Sequence, residues 1–230
     1  MKPYVICHMC TTIDGRIMAN RWPELSGGKD SSNLFETTAA SYGIGAWIVG
    51  TTTMKEFCAK PFKLKPVRHK IDRHHDHIAN PSAKTLAIGV DRRGQTHWKS
   101  NEVAGDHVVL LLTQLVTDAY LAHLQSAGVS YLFCGQSSVN LPLAMHKLAV
   151  AFKLKKAMVQ GGGAMNGSFL KAGLLDEISH LIVPIADGGA GIQTFFDIPG
   201  PAPRKAAAKL KLLSHKILPG GATWNKYRVI

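Results

Sequence analysis

Short apolar runs rich in β-branched residues alternate along this chain with stretches that carry helix signals. The runs are nearly continuous in apolar residues, which is typical of strands covered on both faces of a parallel sheet. Helices are predicted over residues 118–126, after the capping residue Thr117, and over residues 141–152, after Asn140. The alternation predicts an α/β fold with a mainly parallel central sheet flanked by helices. The predicted strands cover residues 4–10, 46–49, 85–90, 107–113, 129–134, 156–159 and 178–185.

The C-terminal part of the chain follows a different pattern. Residues 210–218 and 223–230 flank the turn sequence PGGA, which predicts an antiparallel hairpin that finishes the sheet. At 230 residues, with 46% hydrophobic and 18% charged residues, the chain is large and apolar enough to form one compact domain. No internal repeat and no clear linker divides it. We therefore predict a single domain over residues 1–230.

Residues 59–84 form the longest stretch without a sustained period. They are rich in Pro, Lys, Arg and His, which predicts a long basic loop within the domain. Loops of this length are uncommon in compact domains and are often functional or mobile. Its histidines (His69, His74, His75 and His77) alternate with Lys and Arg, which would repel a cation, so no metal site is predicted. Phe62 is its one aromatic residue able to stack on a base, which makes nucleic-acid binding unlikely.

The charge balance predicts an anionic partner. The formal net charge is +12, which suits a phosphorylated small molecule, a dinucleotide or a nucleic acid. The N-terminus lacks the pattern of a signal peptide, and no apolar run reaches the roughly 18 residues of a membrane span, so a soluble cytoplasmic protein is expected. Cys7 and Cys10 form a C-x-x-C pair, but their spacing places them on opposite faces of a strand. We interpret them as structural, reduced cysteines.

The segment MVQGGGAMNGSFL carries the strongest signal for a ligand. A strand ends at Gln160, three glycines follow, and an amphipathic helix begins. Glycines at such a junction allow the backbone to approach a ligand closely, and the free N–H groups at the positive helix end favour phosphate oxygens. The alternative is that the glycines only make a tight turn.

A second strand runs into a similar turn in the segment AWIVGTTTMKEF. There the strand ends at Gly50 and three threonines follow, whose hydroxyls can cap a helix or bind an anion. Two such turns in one sheet suit a dinucleotide. Neither turn is the G-x-G-x-x-G of the dinucleotide fingerprint, so an ordinary Rossmann domain is disfavoured. Asp14, in TTIDGRI, is a candidate for polar substrate contact, with simple Asp-Gly turn chemistry as the alternative.

Three segments together, CTTIDGRI, AWIVGTTTM and AMVQGGGAMNGSFLKAGLLDEISHLIVPIADGGAG, resemble the 5-amino-6-(5-phosphoribosylamino)uracil reductases of riboflavin biosynthesis. The resemblance runs through nearly the whole chain. It implies a dihydrofolate-reductase-like fold, NADPH as the hydride donor and a homodimer. It also implies a reductase without the deaminase domain that often precedes it in this family.

The resemblance also assigns residues to roles. It implies that Asp14 and Gln160 face the substrate pocket. Arg92 and Arg93, which follow a strand, are our candidates for the 2′-phosphate, with solvated turn arginines as the alternative. The residues implied to contact the cofactor are Thr11, Gly50, Thr53, Gly161, Gly162, Gly163, Ala164 and Asn166.

Three positions on the substrate side differ from the family pattern. Gln160 stands where the family has Glu, Ser41 where an Arg grips the substrate phosphate, and Phe57 near the place of an Asp. Since unpaired buried charges are costly, joint loss of a carboxylate and a guanidinium suggests a different substrate. The alternative is that Arg68, Lys70 or Arg73 of the basic loop replaces the phosphate clamp.

The expected activity is hydride transfer from NADPH to a C=N or C=O carbon of a pyrimidine or ribosylamino substrate. Gln160 would orient that substrate, and Asp14, solvent or the substrate itself would supply the proton. One alternative is a reductase of the same fold acting on another small carbonyl or pterin-like compound. The other is a non-catalytic module that binds a nucleotide or nucleic acid.

Overall fold

A computed structural model describes residues 2–28, 30–198, 200 and 207–230. The strands in these ranges are β1 (Tyr4–Thr11), β2 (Ala46–Gly50), β3 (Leu86–Val90), β4 (Glu102–Val103), β5 (Asp106–Leu112), β6 (Ser130–Phe133), β7 (Lys156–Val159), β8 (Glu177–Ile182), β9 (Leu210–Ile217) and β10 (Thr223–Val229). The α-helices are α1 (Ser31–Ala40), α2 (Thr51–Met54), α3 (Asp118–Ser126), α4 (Leu141–Ala151) and α5 (Gly163–Lys171).

The chain divides into two compact units, and neither is continuous in sequence. The first contains Gly45–Ala157 together with the first residues of the chain, and the second contains Tyr4–Ile44 and the described residues from Met158 onward. The boundary falls inside β7. Our expectation of one domain over residues 1–230 stays a prediction.

In the first unit, four strands pair in parallel in the order β2, β3, β5, β6, and the two-residue β4 pairs antiparallel with β5. Every residue of β3 and β6 is buried, as predicted for strands covered on both faces. Thr117 caps α3 by accepting from the N–H of Tyr120, and Asn140 caps α4 by accepting from the N–H of Leu143. Both predicted helices are therefore confirmed, within one residue at their ends.

The predicted basic loop over residues 59–84 contains no helix or strand. It is nonetheless fixed to its own unit. Arg73 Nη1 lies 2.5 Å from Asp118 Oδ1 at the start of α3, and Lys147 Nζ of α4 lies 2.9 Å from Asp76 Oδ1. The Asp76 carboxylate also accepts from the N–H of Phe133 in β6 at 2.8 Å.

In the second unit, β1 and β8 are parallel, while β8, β10 and β9 follow one another in antiparallel pairs. The predicted hairpin is confirmed, with a turn at Pro219–Gly221 between its strands. The strand predicted over residues 178–185 is shorter, ending at Ile182. Pro184 follows two residues later and has no N–H to continue a ladder.

The pairing thus confirms an α/β fold with a mainly parallel sheet and a C-terminal antiparallel hairpin. Among the described residues, no helix has the length and apolar character required to cross a bilayer. Cys7, Cys10 and Cys134 are buried thiols. In the described part of the chain, no group of three or more His, Cys, Asp or Glu side chains is placed to hold a metal ion.

Candidate active site

The second unit contains a cavity of about 210 Å³ at the face of β1 that is covered by α1. Strand β1, the segment that follows it, helix α1 and the end of β7 all contribute to its wall. The lining residues are Met9, Cys10, Ile17, Ala19, Trp22, Ser31, Ser32, Phe35, Glu36 and Gln160. Most of the wall is apolar, and its polar groups are hydroxyls, one carboxylate and one amide, which is the composition of a small-molecule site.

Helix α1 presents Ser32, Phe35 and Glu36 to this cavity because residues three and four apart share a helix face. Its first turn is fixed by Asp30, whose carboxylate accepts from the N–H of Ser32 at 2.8 Å. The N-terminal half of α1 therefore forms one side of the cavity.

A buried chain of hydrogen bonds holds α1 against the sheet. Trp224 Nε1 donates to Ser179 Oγ at 2.8 Å, and Ser179 Oγ lies 2.8 Å from His8 Nδ1. His8 Nε2 is 3.1 Å from the carbonyl oxygen of Phe35, and the two rings stack at 4.6 Å between centroids. Burial lowers the pKa of His8 to about 4, so the ring is neutral at pH 7 and donates to Phe35 through Nε2. This fixes Phe35 in the cavity wall.

Gln160 follows β7 directly and lines the cavity, and its predicted contact with a substrate stays a prediction. Its Nε2 lies 3.5 Å from Met158 Sδ, which is a weak acceptor. No other hydrogen bond joins its amide to a described residue. The amide oxygen and nitrogen are thus available to a ligand.

The turn after Gln160 leaves backbone donors free. Gly161 has φ +96°, which favours glycine, and Gly162 stands at the N-cap position of α5 without any side chain capping the helix. The N–H groups of Gly163 and Ala164 donate to no other described residue. A nine-residue helix with free N–H groups at its start is suited to binding an anion.

Helix α5 also packs closely against the segment 194–198. A Cβ at Gly163 would overlap the carbonyl oxygen of Thr194, and one at Gly167 would lie 2.7 Å from the Asp197 carbonyl. Asn166 is fully buried, and its Nδ2 donates to the Phe195 carbonyl at 3.0 Å. Asn166 therefore holds the segment 194–198 through Nδ2, while its buried Oδ1 accepts no hydrogen bond from a described residue, and its assignment to the cofactor stays a prediction.

Thr11, also assigned to the cofactor by the resemblance, uses its hydroxyl within the fold. It is fully buried at the end of β1, where its hydroxyl lies 2.8 Å from His180 Nε2 and donates to the Thr12 carbonyl at 2.9 Å. Burial lowers the pKa of His180 to about 4, so this ring is neutral at pH 7 as well. With its hydroxyl engaged on both sides, Thr11 fixes the end of the strand, and its assignment to the cofactor stays a prediction.

Asp14 is tied to its own unit. Its carboxylate accepts from the Thr12 hydroxyl at 2.6 Å and from the N–H groups of Gly188 and Asp187 at 2.9 and 3.1 Å. These bonds hold the pKa of Asp14 well below its usual range. Asp14 does not line the cavity. Asp14 thus joins two loops of its unit, and its predicted catalytic role stays a prediction.

In the first unit, Gly50 occupies the N-cap of α2, and Thr53 is half-buried in that four-residue helix. Thr51 uses its hydroxyl to donate to the Val90 carbonyl at 2.6 Å. Arg92 and Arg93 are exposed in the turn after β3. These cofactor assignments stay predictions.

Of the three positions that differ from the family pattern, Gln160 lines the cavity, whereas Ser41 and Phe57 lie outside its wall. Ser41 is the C-cap of α1, ten residues beyond Ser31, and its hydroxyl donates to the Thr38 carbonyl at 2.7 Å. Phe57 packs edge-on against Trp47 in the first unit. Arg73 is engaged by Asp118, so it is not a free replacement for a phosphate clamp.

The sequence pattern did not reveal α1 as a cavity wall. The run DSSNLF contains a capping aspartate followed by an apolar pair, which is a usable helix-start signal. Nothing in the spacing, however, indicates that Trp22 or Glu36 would lie beside Gln160. That proximity arises from the packing of α1 on β1 through His8 and Phe35.

The strand pairing, with a cavity beside a strand–glycine–helix turn, defines a fold of the dihydrofolate-reductase-like class. The chain belongs to the RibD C-terminal domain family, whose model matches residues 3–223. The predicted resemblance, fold and enzyme class are thereby confirmed.

Three comparisons illustrate the relationship. The 2,5-diamino-6-ribosylamino-4(3H)-pyrimidinone 5′-phosphate reductase of Methanothermobacter thermautotrophicus is 27% identical over 217 residues, which are 92% of each chain. RibD of Acinetobacter baumannii superposes with a TM-score of 0.66 at 18% identity, over 100% of this chain and 58% of that protein. The dihydrofolate reductase of Enterococcus faecalis shares the fold with a TM-score of 0.50 at 11% identity, covering 98% of this chain and 96% of its own.

Proposed function

We propose that this chain is an NADPH-dependent reductase that acts on a ribosylaminopyrimidine 5′-phosphate, the type of substrate named for its archaeal relative, in riboflavin biosynthesis. The hydride would be transferred to a C=N or C=O carbon of that substrate. One observation carries the proposal: Gln160 lines the cavity, and the uncapped start of α5 follows it within three residues.

The start of α5 fits the phosphates of a dinucleotide. The N–H groups of Gly163 and Ala164 would donate to phosphate oxygens, and the positive end of the helix would add to their attraction. When bound, NADPH supplies the hydride. Gly50, Thr53 and Arg92 remain our proposed further contacts to the cofactor, with Arg92 for the 2′-phosphate.

Gln160 would orient the substrate. Its amide can donate and accept hydrogen bonds at once, but it does not titrate near neutral pH. It therefore positions a ring or imine against the cofactor without acting as an acid. Since Asp14 is ionised and fully engaged, we assign the proton to solvent or to the substrate itself. The homodimer implied by the family resemblance stays a prediction.

Substitution of Ala164 by Asp tests the phosphate site. Ala164 is exposed in the first turn of α5, where a carboxylate favours the helix but repels phosphate. We expect Ala164→Asp to leave the melting temperature unchanged or raised and to weaken NADPH binding at least tenfold, measured by nicotinamide fluorescence. The matched control is Ala172→Asp, an exposed position at the other end of the same helix.

Equal NADPH affinity in the Ala164→Asp variant and the wild type would remove the proposed phosphate site. Absence of binding to both NADPH and NADH in the wild type would end the reductase proposal itself and favour a non-catalytic module. With binding established, oxidation of NADPH in the presence of the diaminopyrimidinone phosphate tests the substrate directly.

A further inference from the structure

A buried carboxylate in the first unit directly precedes the two arginines that are our candidates for binding the 2′-phosphate. Asp91 follows β3 and is fully buried, whereas Arg92 and Arg93 are exposed in the turn that comes next. We propose that Asp91, together with Tyr120, is a positioning residue that fixes this turn and thereby sets the preference for NADPH over NADH. The inference rests on the proposed function, because it concerns how the same cofactor would be recognised.

The Asp91 carboxylate closes the turn that carries the arginines. Its oxygens accept from the N–H of Gln95 at 2.8 and 2.9 Å, and Oδ2 accepts from the N–H and the hydroxyl of Thr96 at 2.9 and 2.8 Å. No Lys or Arg among the described residues forms an ion pair with Asp91. The first residue of the turn over residues 91–96 therefore holds its last two residues in place.

Tyr120 of α3 fixes the same turn from inside the unit. Its buried hydroxyl donates to Asp91 Oδ2 at 2.9 Å. Burial raises the pKa of this hydroxyl well above its usual value, so the group keeps its proton and remains a donor. Gly94 has φ +69°, and a Cβ at this position would lie 2.7 Å from the Tyr120 ring. The turn thus rests directly on the ring that bonds to Asp91.

Two further contacts hold the outer part of the turn. Thr113, directly after β5, donates its hydroxyl to the Arg92 carbonyl at 2.7 Å. Lys55 Nζ, at the end of α2, lies 3.2 Å from Gln95 Oε1. The backbone at Arg92 is therefore fixed, and only the two arginine side chains have to be ordered by a ligand. A preorganised backbone lowers the entropic cost of binding a phosphate.

The inward orientation of Asp91 also removes negative charge from the edge of the sheet. In dinucleotide-binding α/β folds, a carboxylate at a strand end that faces the ligand accepts from the ribose 2′-hydroxyl and disfavours a 2′-phosphate. Asp91 lies at such a strand end but has no exposed surface. The exposed side chains directly after it are Arg92 and Arg93, whose guanidinium groups suit a phosphate. Burial of Asp91 therefore favours NADPH in two ways.

The test uses two probes that lack the nicotinamide and differ only in the 2′-phosphate, namely adenosine 2′,5′-bisphosphate and adenosine 5′-monophosphate. Isothermal titration calorimetry gives the affinity of each probe for the wild type and for Asp91→Asn. We expect the wild type to bind the bisphosphate about tenfold more tightly than the monophosphate. Asp91→Asn should lose most of this preference, because its amide nitrogen cannot accept the bonds that close the turn.

Two further variants separate positioning from a general loss of stability. Tyr120→Phe removes one bond to Asp91 and keeps the ring beneath Gly94, so the preference should fall by a smaller factor. The control Asp76→Asn removes a carboxylate of the same unit that bonds to Phe133 and Lys147. We expect it to lower the melting temperature and to leave the preference unchanged.

A wild type that binds both probes equally would overturn the inference, as would an unchanged preference in Asp91→Asn. An equal fall in Asp76→Asn would show that loosening of the unit is the cause, which also contradicts positioning. If Asp91→Asn does not fold, Tyr120→Phe decides, and an unchanged preference in that variant counts against us.

A double-variant background shows whether Asp91 acts through the arginines. With Arg92→Ala and Arg93→Ala in place, adding Asp91→Asn should change the preference no further. A further fall would mean that Asp91 acts by another route. The result is separable from the proposed function: a chain that binds neither NADPH nor NADH contradicts the reductase proposal, whereas the preference between the two adenosine phosphates is measured without a nicotinamide.

Discussion

Asp14 and Gln160 show how differently two residues assigned by the same resemblance behave in the structure. Gln160 ends a strand, and a residue at that position must lie at the carboxyl edge of the sheet, where ligands bind in α/β folds. Asp14 lies in a turn, where an aspartate side chain usually bonds to nearby backbone N–H groups. It does so here with Asp187 and Gly188, far away in sequence.

We predict that Asp14→Asn lowers stability without impairing catalysis. The substitution removes the charge that three donors now satisfy, so the melting temperature should fall. The carboxylate contributes no proton, because its pKa lies far below neutrality, so kcat at saturating substrate should be unchanged between pH 6 and 8. Steady-state NADPH oxidation and thermal melts measure both quantities. A loss of kcat with an unchanged melting temperature would restore Asp14 as a catalytic residue.

Gln160 was predictable from sequence, whereas Glu36 was not. A strand followed by glycines locates Gln160 without any knowledge of its neighbours. The position of Glu36 depends on which face of α1 packs against β1, and that face is selected by the buried contacts of His8 with Phe35 and Ser179. Such a choice involves residues 171 positions apart and leaves no local signal.

At the scale of elements, the glycines of helix α5 allow the chain around the helix to pack closely against it. Three consecutive glycines predicted close approach of a phosphate or a tight turn. In the structure these glycines have different functions. Gly161 has a positive φ, which favours glycine, and the missing Cβ of Gly163 leaves room for the carbonyl oxygen of Thr194. The conformation of Gly161 is what the turn interpretation predicts, while the approach of a phosphate stays a proposal.

We predict that Gly163→Ala destabilises the protein more than Gly173→Ala, although both glycines belong to the same helix region. A Cβ at position 163 meets backbone that cannot rotate away, which should cost about 3 kcal/mol of unfolding free energy. Gly173 has open space but φ +64°, so alanine should cost about 1 kcal/mol there. Urea unfolding of the two variants measures the difference. Equal losses would show that the 194–198 segment moves aside freely.

Elements with a clear hydrophobic period were predicted to within a few residues, and their ends were less accurate. The strand predicted to residue 185 stops at Ile182 because Pro184 prevents further pairing. The two-residue β4 was missed because so short a strand has no period. The basic loop was recognised by its composition, but its attachment through Asp76 and Arg73 involves α3 and α4 and could not be predicted locally.

At the scale of the whole molecule, the chain is strongly basic, whereas the cavity wall contains no positively charged side chain. The net charge of +12 attracts anions at long range, while the cavity wall carries only the negative charge of Glu36. The side chains that attract anions at long range are therefore not those of the cavity wall. The net charge would concentrate phosphorylated molecules near the protein without help from the cavity wall.

We predict that the KM for NADPH rises with ionic strength more steeply than the KM for NADH, because NADPH carries one more phosphate. Raising the ionic strength from about 0.01 M to about 0.15 M shortens the Debye length from about 30 Å to about 8 Å and weakens the attraction of the +12 chain. Initial rates with each cofactor over a salt series give the two slopes. Parallel slopes would show that the 2′-phosphate is bound without help from the overall charge or from Arg92.

The second unit runs from Tyr4 to Ile44 and resumes only at Met158, with Gly45–Ala157 of the first unit inserted between. During synthesis, β1 therefore cannot pair with β8 until the C-terminal part of the chain has been made. The hydrogen bond from the Val5 N–H to Asp176, for example, joins residues 171 positions apart. The first unit can pair its strands while β1 is still without β8. Because bringing such distant segments together slows folding, completion of the cavity is expected to be a late event on the ribosome, after the basic loop is already in place.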